Sequence, residues 1–185
     1  MKILIGYERS GTLRTRLLER GHECYSIDLK DSEHKQNHIV GCIWKTGILN
    51  QNWDLAIFHP PCQYLSNAGV QYLQNWNRLG NVWRACQNFN KLLNLPIKKF
   101  AIENPLQHYI ARALIQKKPD QLIRPSDFGS KSSKRTNLWL KGLPPLISTI
   151  IEPKATDLTT CKRDPYKRSI LDPKLAEAMI NQWVV

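Results

Sequence analysis

A cysteine and a glutamate each follow an apolar run of the sequence, and together they could carry covalent catalysis. Cys62 comes directly after "AIFHPP", and Glu103 ends the stretch "FAIE". The two prolines have no N–H to give to a sheet, so the first run is predicted to be a strand that ends before them. The carboxyl ends of parallel strands meet at one edge of a sheet. A thiolate nucleophile and a carboxyl group that can protonate or hydrogen-bond an attacked ring would then face one pocket.

Each of these residues also has a purely structural interpretation. A lone cysteine is most often a small buried apolar side chain, and a glutamate beside a strand end is most often a surface charge. Both interpretations lose weight because the two residues take equivalent places after separate strands. His59 begins the turn that contains Pro60 and Pro61, which we call the proline turn. It is interpreted as a structural residue, with proton transfer as its alternative role.

The first thirty residues have the pattern of a β-loop-α-β unit. The segment "KILIG" is predicted to be a strand, "LRTRLLERG" a helix that ends near Gly21, and "HECYSIDL" a strand that ends at Asp28. A glycine loop beside a helix N-terminus, with an acidic residue after the next strand, is typical of sites for cofactors with an adenosine half. An ordinary turn and a surface aspartate are the alternative, because such a pattern is common by chance.

The rest of the chain continues the alternation, which predicts an α/β fold with a mostly parallel sheet and flanking helices. A helix is expected over residues 70–95, broken near Gly80, with Trp76 and Trp83 in the core. Stacking of these two tryptophans on nucleic-acid bases is the alternative. The C-terminal helix is expected over residues 172–183, with Asp172 as its N-cap and Pro173 as its first residue. The other expected strands lie at "HIVGCIW", "WDLAIFH", "KKFAIENP" and "TNLWL", with a helix at "HYIARALIQK".

Length and charge favour one domain that binds a polyanion. The 185 residues carry a formal net charge of +12 and have a pI near 9.7, a balance that favours nucleic acid as the partner. We expect residues 1–185 to form a single domain. Within it, residues 117–168 are expected to be irregular, basic and directed toward the substrate.

Cysteine usage and hydropathy favour a protein of the cytoplasm. The five cysteines are scattered without CxxC spacing, which argues against a disulfide framework and a zinc ribbon. No apolar run approaches the roughly 20 residues that span a bilayer, and the N-terminus does not have the pattern of a signal peptide. His34 and His38 have metal-compatible spacing, but no third ligand is evident, so we interpret both as solvated and expect no metal.

The motifs around these residues resemble those of the cytosine-5 DNA methyltransferases. "PPCQYLS" is similar to that family's Pro-Pro-Cys-Gln motif, and "IENP" to its Glu-Asn-Val motif, with proline in place of valine. "ILIGYERSGTLRTRLLERGHECYSIDL" resembles its S-adenosylmethionine loop, helix and acidic strand. "KRTNLWL" resembles its basic motif, and "RSILDPKLAEAMINQWV" the C-terminal motif that closes the cofactor site. The nearest resemblance is to compact, often phage-borne members of the family.

The resemblance implies a role for each matching residue. Cys62 would attack C6 of cytosine, and Glu103 would bind and protonate N3, which makes C5 able to accept a methyl group. Gln63, Asn104 and Arg135 complete the implied catalytic set. The implied S-adenosylmethionine site contains the following residues: Gly6, Tyr7, Ser10, Gly11, Asp28, Cys42 and Pro60. Lys131, Lys134 and Arg135 would contact DNA phosphates, and the target base would be flipped out of a duplex.

Three departures from the family pattern keep other functions open. The loop after Gly6 is one residue longer than the family's, and Cys42 stands where an aspartate contacts adenine. Only about 30 residues separate "KRTNLWL" from the last helix, less than an independent recognition domain needs. Specificity would then come from short loops, a protein partner or a dimer. The alternatives are a catalytically silent nucleic-acid binder with the same fold, and the same chemistry on RNA or a free cytosine nucleotide.

Overall fold

The computed structural model describes residues 1–67, 76–151, 166 and 169–184, with only the backbone described for 76 and 77. The strands in these ranges are β1 (Lys2–Gly6), β2 (Glu23–Asp28), β3 (His38–Val40), β4 (Leu55–Phe58), β5 (Phe100–Pro105), β6 (Gln121–Ile123) and β7 (Thr136–Lys141). The helices are α1 (Thr12–Glu19), α2 (Trp76–Leu93), α3 (Tyr109–Leu114) and α4 (Pro173–Trp183).

The strands form a sheet in the order β3-β2-β1-β4-β5-β7-β6. Strands β1 to β5 are parallel, whereas β7 runs antiparallel between β5 and β6. The chain moves outward from β1 to β3 and then returns to place β4 on the other side of β1. The resulting crevice between β1 and β4, at the carboxyl ends of both strands, is where α/β proteins bind their ligands.

Apolar side chains bury both faces of the sheet. One layer contains α1 and α4, with Leu13, Leu17 and Met179 packed on the strands. The other contains α2 and α3, with Phe89 and Ala111 among its buried residues. Every residue of β4 is buried, because a central parallel strand is covered on both sides, and this explains its unbroken run "LAIF".

Most predicted elements are confirmed, including the cap of the last helix. The Asp172 carboxylate accepts hydrogen bonds from the backbone N–H groups of Lys174 and Leu175, at 2.9 and 3.3 Å, and Pro173 is the first helical residue. A Pro at this position gives up no helical hydrogen bond. This helix packs against α1 through the Glu177 carboxylate, which pairs with Arg20.

Two predictions for α2 are wrong. Within residues 76–93 the helix runs through Gly80 without a break, because one exposed glycine costs only about 1 kcal/mol in a helix. Trp83 is 55% exposed instead of lying in the core, where Val82 and Cys86 occupy the buried face. The Trp76 side chain and residues 70–75 of the predicted helix lie outside the described residues.

Two smaller differences concern short strands. β3 ends at Val40, so Cys42 follows the strand instead of belonging to it. Strand β6 lies in the segment expected to be largely irregular, where three residues were too few to give a periodic pattern. No helix among the described residues is both long and apolar enough to cross a bilayer.

Candidate active site

The candidate site lies where β1 and β4 end side by side. Gly6 pairs with Phe58 at the ends of these strands, and the His59 N–H donates to the Gly6 carbonyl oxygen at 3.0 Å. β5 lies on the other side of β4, with Ile102 paired to Phe58. The loop after β1, the proline turn after β4 and the end of β5 therefore share one edge of the sheet.

The turn that carries Cys62 is fixed to the end of β5. Pro60 is buried, and its carbonyl oxygen accepts a hydrogen bond from Nδ2 of the buried Asn104 at 2.8 Å. The Cys62 carbonyl oxygen accepts from the N–H groups of Leu65 and Ser66 at 3.0 and 2.9 Å, so the half-buried cysteine opens a helical turn. Asn104 thus holds the backbone of the turn that carries Cys62.

Glu103 precedes Asn104 on the same strand, and its carboxylate contacts His59. Oε2 of Glu103 lies 3.1 Å from Nδ1 of His59, and the two side chains are only 13% and 10% exposed. Burial in a polar pair of this kind fixes both side chains. This contact could not be predicted from the sequence, because 44 residues separate its partners.

Two residues of the loop after β1 adopt the left-handed region of backbone conformation. Gly11 has a φ of 74°, and Tyr7 has a φ of 62°. Glycine enters this region freely, whereas a tyrosine there is strained. The Tyr7 backbone is held by a 2.7 Å hydrogen bond from its N–H to the Ile27 carbonyl oxygen. Strain of this kind concentrates at functional sites and is consistent with a binding loop.

The buried carboxylate of Glu8 occupies the N-terminus of α1. Its oxygens accept hydrogen bonds from the backbone N–H groups of Leu13, at 2.6 Å, and Arg14, at 3.4 Å. Burial raises the pKa of Glu8, and the hydrogen bond to Leu13 and the charges of His59 and Arg14 oppose that rise. The sequence motifs do not identify Glu8 as a site residue, although an acidic residue just before a helix is a known stabilising signal.

The fully buried Arg14 ties α1 to the segment that follows β2. Its guanidinium donates to the hydroxyl groups of Ser26 and Ser32 and to the His34 carbonyl oxygen. His38 joins this network through Nδ1, 2.8 Å from the Ser26 hydroxyl. The interpretation of His38 as solvated is therefore wrong, whereas the His34 side chain is exposed. Among the described residues, no group of three or more His, Cys, Asp or Glu could hold a metal ion.

The residues assigned to an adenosine group come together beside Tyr7. Burial raises the pKa of the Tyr7 hydroxyl, and the charges of Cys42 and Asp28 raise it further, while a hydrogen bond with Trp44 opposes them. Asp28 ends β2, and its Oδ1 accepts from the Lys30 N–H at 2.9 Å. A neutral hydroxyl and a partly exposed carboxylate at this edge are suited to a polar ligand with hydroxyl groups.

The other predicted site residues lie around the rim of this edge. Gln63 is exposed, and its backbone carbonyl oxygen accepts a hydrogen bond from the Arg78 guanidinium at 3.3 Å. The Ser10 hydroxyl accepts from the Thr12 N–H at 3.3 Å. The basic residues precede β7, whose first residue pairs with the last residue of β5. Their side chains are exposed on the same edge as Glu103, and they are Lys131, Lys134 and Arg135.

Replacing Gly6 with alanine is expected to destabilise the protein. A methyl group on Gly6 would overlap the Phe58 ring and lie 3.1 Å from Cδ1 of Ile43. Crowding of a packed core typically costs about 1–3 kcal/mol. Urea unfolding would measure the loss, with Gly80→Ala as the matched control, because a methyl group there meets nothing within 4 Å. Equal stabilities for the two variants would contradict the close approach of Gly6 to Phe58.

Replacing Glu8 with glutamine is expected to give a pH-dependent gain in stability. Because burial raises the pKa of Glu8, the unfolded chain ionises this group at lower pH than the folded protein does. The wild type should therefore lose stability relative to Glu8→Gln as the pH rises above the ordinary glutamate pKa of about 4.3. Urea unfolding from about pH 5 to 8 would measure the difference, which should not appear with the exposed Glu19→Gln. A difference that is constant across this range would contradict the burial of an ionisable Glu8.

The fold can be compared with those of solved proteins. No family model and no curated protein sequence matches the chain. A candidate DNA modification methyltransferase encoded within an E. coli prophage is similar in structure, with a TM-score of 0.50 and 14% identity over 83% of this chain and 52% of that one. Entamoeba histolytica methyltransferase EhMeth has a TM-score of 0.46 and 17% sequence identity, over 86% of this chain and 57% of that one. S. pombe Dnmt2 methyltransferase has a TM-score of 0.49 and 14% sequence identity, over 100% of this chain and 65% of that one.

The likeness to the prophage protein concerns the fold. The chain has the Rossmann-like methyltransferase fold, with the mostly parallel sheet and flanking helices that the sequence predicts. It spans less than two thirds of the length of each of the three solved chains. The crevice between the carboxyl ends of β1 and β4 is where α/β folds bind their ligands. In this chain a thiol, a carboxylate and a strained loop lie at that edge.

Proposed function

We propose that the protein transfers a methyl group to C5 of cytosine in DNA. The observation that carries the proposal is the connection between the Cys62 turn and the end of β5. Asn104 bonds the Pro60 carbonyl oxygen, and His59 contacts Glu103. A nucleophile and a carboxyl group are thereby held at one edge of the sheet on rigid supports, which covalent catalysis on a ring requires.

The proposed chemistry uses Cys62 and Glu103 in succession. The Cys62 thiolate forms a bond to C6 of the pyrimidine, while Glu103 hydrogen-bonds and protonates N3 to stabilise the electron density that the attack creates. C5 then acts as the carbon nucleophile. After methylation, solvent takes the C5 proton, and N3 returns its proton to Glu103. The C5–C6 double bond re-forms as the bond to sulfur breaks, which returns the Cys62 thiolate.

The loop after β1 fits a cationic cofactor better than an anionic one. A helix N-terminus in this position commonly binds a phosphate, but here the Glu8 carboxylate takes the N–H groups of Leu13 and Arg14. A dinucleotide phosphate would meet this carboxylate, whereas S-adenosylmethionine carries an ammonium and a sulfonium group. When bound, S-adenosylmethionine supplies an electrophilic methyl group. Tyr7, Asp28 and Cys42 would contact its adenosine half, and Gly6, Ser10, Gly11 and Pro60 would form the rest of its site.

The charge distribution supports nucleic acid as the substrate. Residues 55–119 contain eight lysines and arginines and a single acidic residue, Glu103. The α1–α4 layer differs, because Arg16 and Arg20 pair with Glu177 there. We propose that the exposed basic residues before β7 contact backbone phosphates at the edge that bears Cys62. A protein partner or a dimer would add sequence specificity.

Charge reversal before β7 is expected to weaken nucleic-acid binding. The double variant Lys131→Glu, Arg135→Glu should bind a cytosine-containing oligonucleotide at least about tenfold more weakly at low salt, because each lost phosphate contact also removes counterion release. Fluorescence anisotropy across a salt series should show a shallower salt dependence for this variant. The control is Lys98→Glu, Lys99→Glu, which makes the same charge change just before β5, at the opposite edge. Equal losses for the two double variants would show that only net charge matters.

The Glu8 contact also favours a second candidate, a nucleic-acid binder that has kept the fold without the chemistry. A carboxylate that caps α1 and the bulky Tyr7 both belong to the loop that would hold a cofactor, where small residues would leave more room. Calorimetry with S-adenosylmethionine distinguishes the candidates, because only the enzyme has to bind it. The same chemistry on RNA or a free cytosine nucleotide is the third candidate and differs only in substrate.

The test of the proposed function is methyl transfer from S-adenosylmethionine with a labelled methyl group. Single- and double-stranded DNA, RNA and dCTP would be incubated separately with the protein, then digested to nucleosides and analysed by mass spectrometry. Labelled 5-methyl-2′-deoxycytidine from DNA supports the proposal, and a label confined to RNA or dCTP supports the third candidate. DNA binding with neither cofactor binding nor product supports the silent binder.

A further inference from the structure

His59 connects the three parts of the candidate site. Its backbone N–H donates to the carbonyl oxygen of Gly6, where the loop after β1 begins. Its imidazole Nδ1 lies 3.1 Å from Oε2 of Glu103 on β5. It is also three residues before Cys62 on the proline turn. A position just after a strand does not by itself require such a contact, since a small or apolar residue could follow β4 equally well.

The surroundings of the imidazole are those of a constrained polar group. The side chain is only 10% exposed, and Nε2 is buried without a hydrogen-bond partner among the described residues. The ring contacts the Glu103 carboxylate, and Glu8 lies near enough for the charge of His59 to oppose the rise that burial causes in the Glu8 pKa. A buried polar atom without a partner is costly, so a histidine retained only for packing would be a poor choice here.

We propose that His59 is a positioning residue for Glu103. With Nδ1–H donating to Oε2, the carboxyl group cannot rotate freely, and Oε1 is left to face the pyrimidine ring at N3. Within the part of the chain that the structure describes, His59 is the side chain that bonds this carboxylate. The bond to Gly6 fixes the position of His59 itself, so the cofactor loop and the base-binding carboxyl keep one relative position. This inference rests on the proposed function and adds a residue to that site.

Asparagine and glutamine test the position of the donor. The amide nitrogen of asparagine lies close to the place of Nδ1, whereas that of glutamine lies closer to the place of Nε2. His59→Asn should therefore retain the bond to Glu103, and His59→Gln and His59→Ala should lose it. The readout is the rate of covalent adduct formation on a 5-fluorocytosine oligonucleotide with saturating S-adenosylmethionine, in which fluorine at C5 blocks release of the cysteine.

We expect His59→Asn to react within about threefold of the wild type, and His59→Gln and His59→Ala to be about 10- to 100-fold slower, because misplacement of a catalytic group by about 1 Å costs this much. The Kd for S-adenosylmethionine should stay the same in all three variants. In a Glu103→Gln background, His59→Ala should cause little further loss, because the two residues act as one unit. His22→Asn, before the start of β2 at the opposite edge, is the matched control and should react as the wild type does.

Two results would overturn the inference while the proposed function stands. One is a His59→Gln variant as fast as His59→Asn, which would mean that the bond at Nδ1 does not matter. The other is a loss from His59→Ala that multiplies with the loss from Glu103→Gln. The absence of an adduct with the wild type itself would overturn the proposed function and this inference together, so the two failures are distinguishable. Circular dichroism of each variant would confirm that it folds.

Discussion

Cys62→Ser should form no covalent adduct with a 5-fluorocytosine oligonucleotide, while the wild type forms one that depends on S-adenosylmethionine. A serine hydroxyl at neutral pH is a far weaker nucleophile than a thiolate. Loss of a covalent nucleophile commonly costs several orders of magnitude in rate, so a decrease of at least about 1000-fold is expected. Denaturing electrophoresis of the labelled oligonucleotide would measure the adduct. Noncovalent binding of the oligonucleotide should be unchanged, since the substitution only replaces one sulfur atom with oxygen.

Cys86→Ala is the matched control for the loss of a thiol. Cys86 is fully buried on α2, and burial raises the pKa of its thiol to about 11, which makes this thiol unreactive near neutral pH. The variant should keep the adduct and lose only a little stability. An adduct that survives in Cys62→Ser would contradict the assignment of the nucleophile. An adduct lost in Cys86→Ala as well would indicate that the two thiol substitutions act through folding.

The parts of the site that lie next to strands could be predicted from the sequence. Cys62 and Glu103 follow apolar runs, and the rule that parallel strands end at one edge is sufficient to bring their segments together. Their alternation with helical segments also predicts the sheet. Cys42 shows the limit of such reasoning, because β3 ends two residues before it and the strand boundary could not be located from hydropathy.

The contacts that join these segments could not be predicted. The bond between His59 and Glu103 spans 44 residues, and that between Asn104 and the Pro60 carbonyl oxygen spans the same distance along the chain. Sequence periodicity describes which face of an element is buried, but it does not determine which polar atoms meet across neighbouring strands. Trp83 illustrates the same limit on a helix, because its spacing agreed with the core positions although it lies on the exposed side.

Polar contacts also explain how the two faces of the sheet contribute to one edge. On one face, Glu8 holds the loop after β1 against α1. Arg14 holds α1 against the segment after β2. At the neighbouring strand ends, His59 and Asn104 hold the proline turn against β5. The bond between His59 and Gly6 joins these two groups of contacts. The proposed cofactor loop and the proposed nucleophile, which belong to different parts of the chain, therefore share one rigid support.

Glu103→Gln should slow adduct formation about 100- to 1000-fold, the range found when a preorganised group that stabilises transition-state charge is removed. Glutamine has nearly the shape of glutamate, and its carbonyl oxygen can still accept from His59, so the side chain should stay in place. It cannot give a proton to N3 of the pyrimidine, and the charge created by the attack of Cys62 is then less stabilised. Single-turnover rates of adduct formation would measure the loss.

Glu23→Gln is the control for removal of a carboxylate, since Glu23 is an exposed residue at the start of β2 that pairs with Lys2 at 3.7 Å. Exposed pairs contribute little, about 0–1 kcal/mol, so this variant should react at the wild-type rate. If Glu103→Gln also reacts at that rate, N3 is not protonated by Glu103. The buried carboxylate beside His59 would then serve the fold alone, and the proposed chemistry would need a different acid. A large loss confined to Glu103→Gln would instead show that the reaction depends on the carboxyl group beside His59 and not on the removal of any one carboxylate.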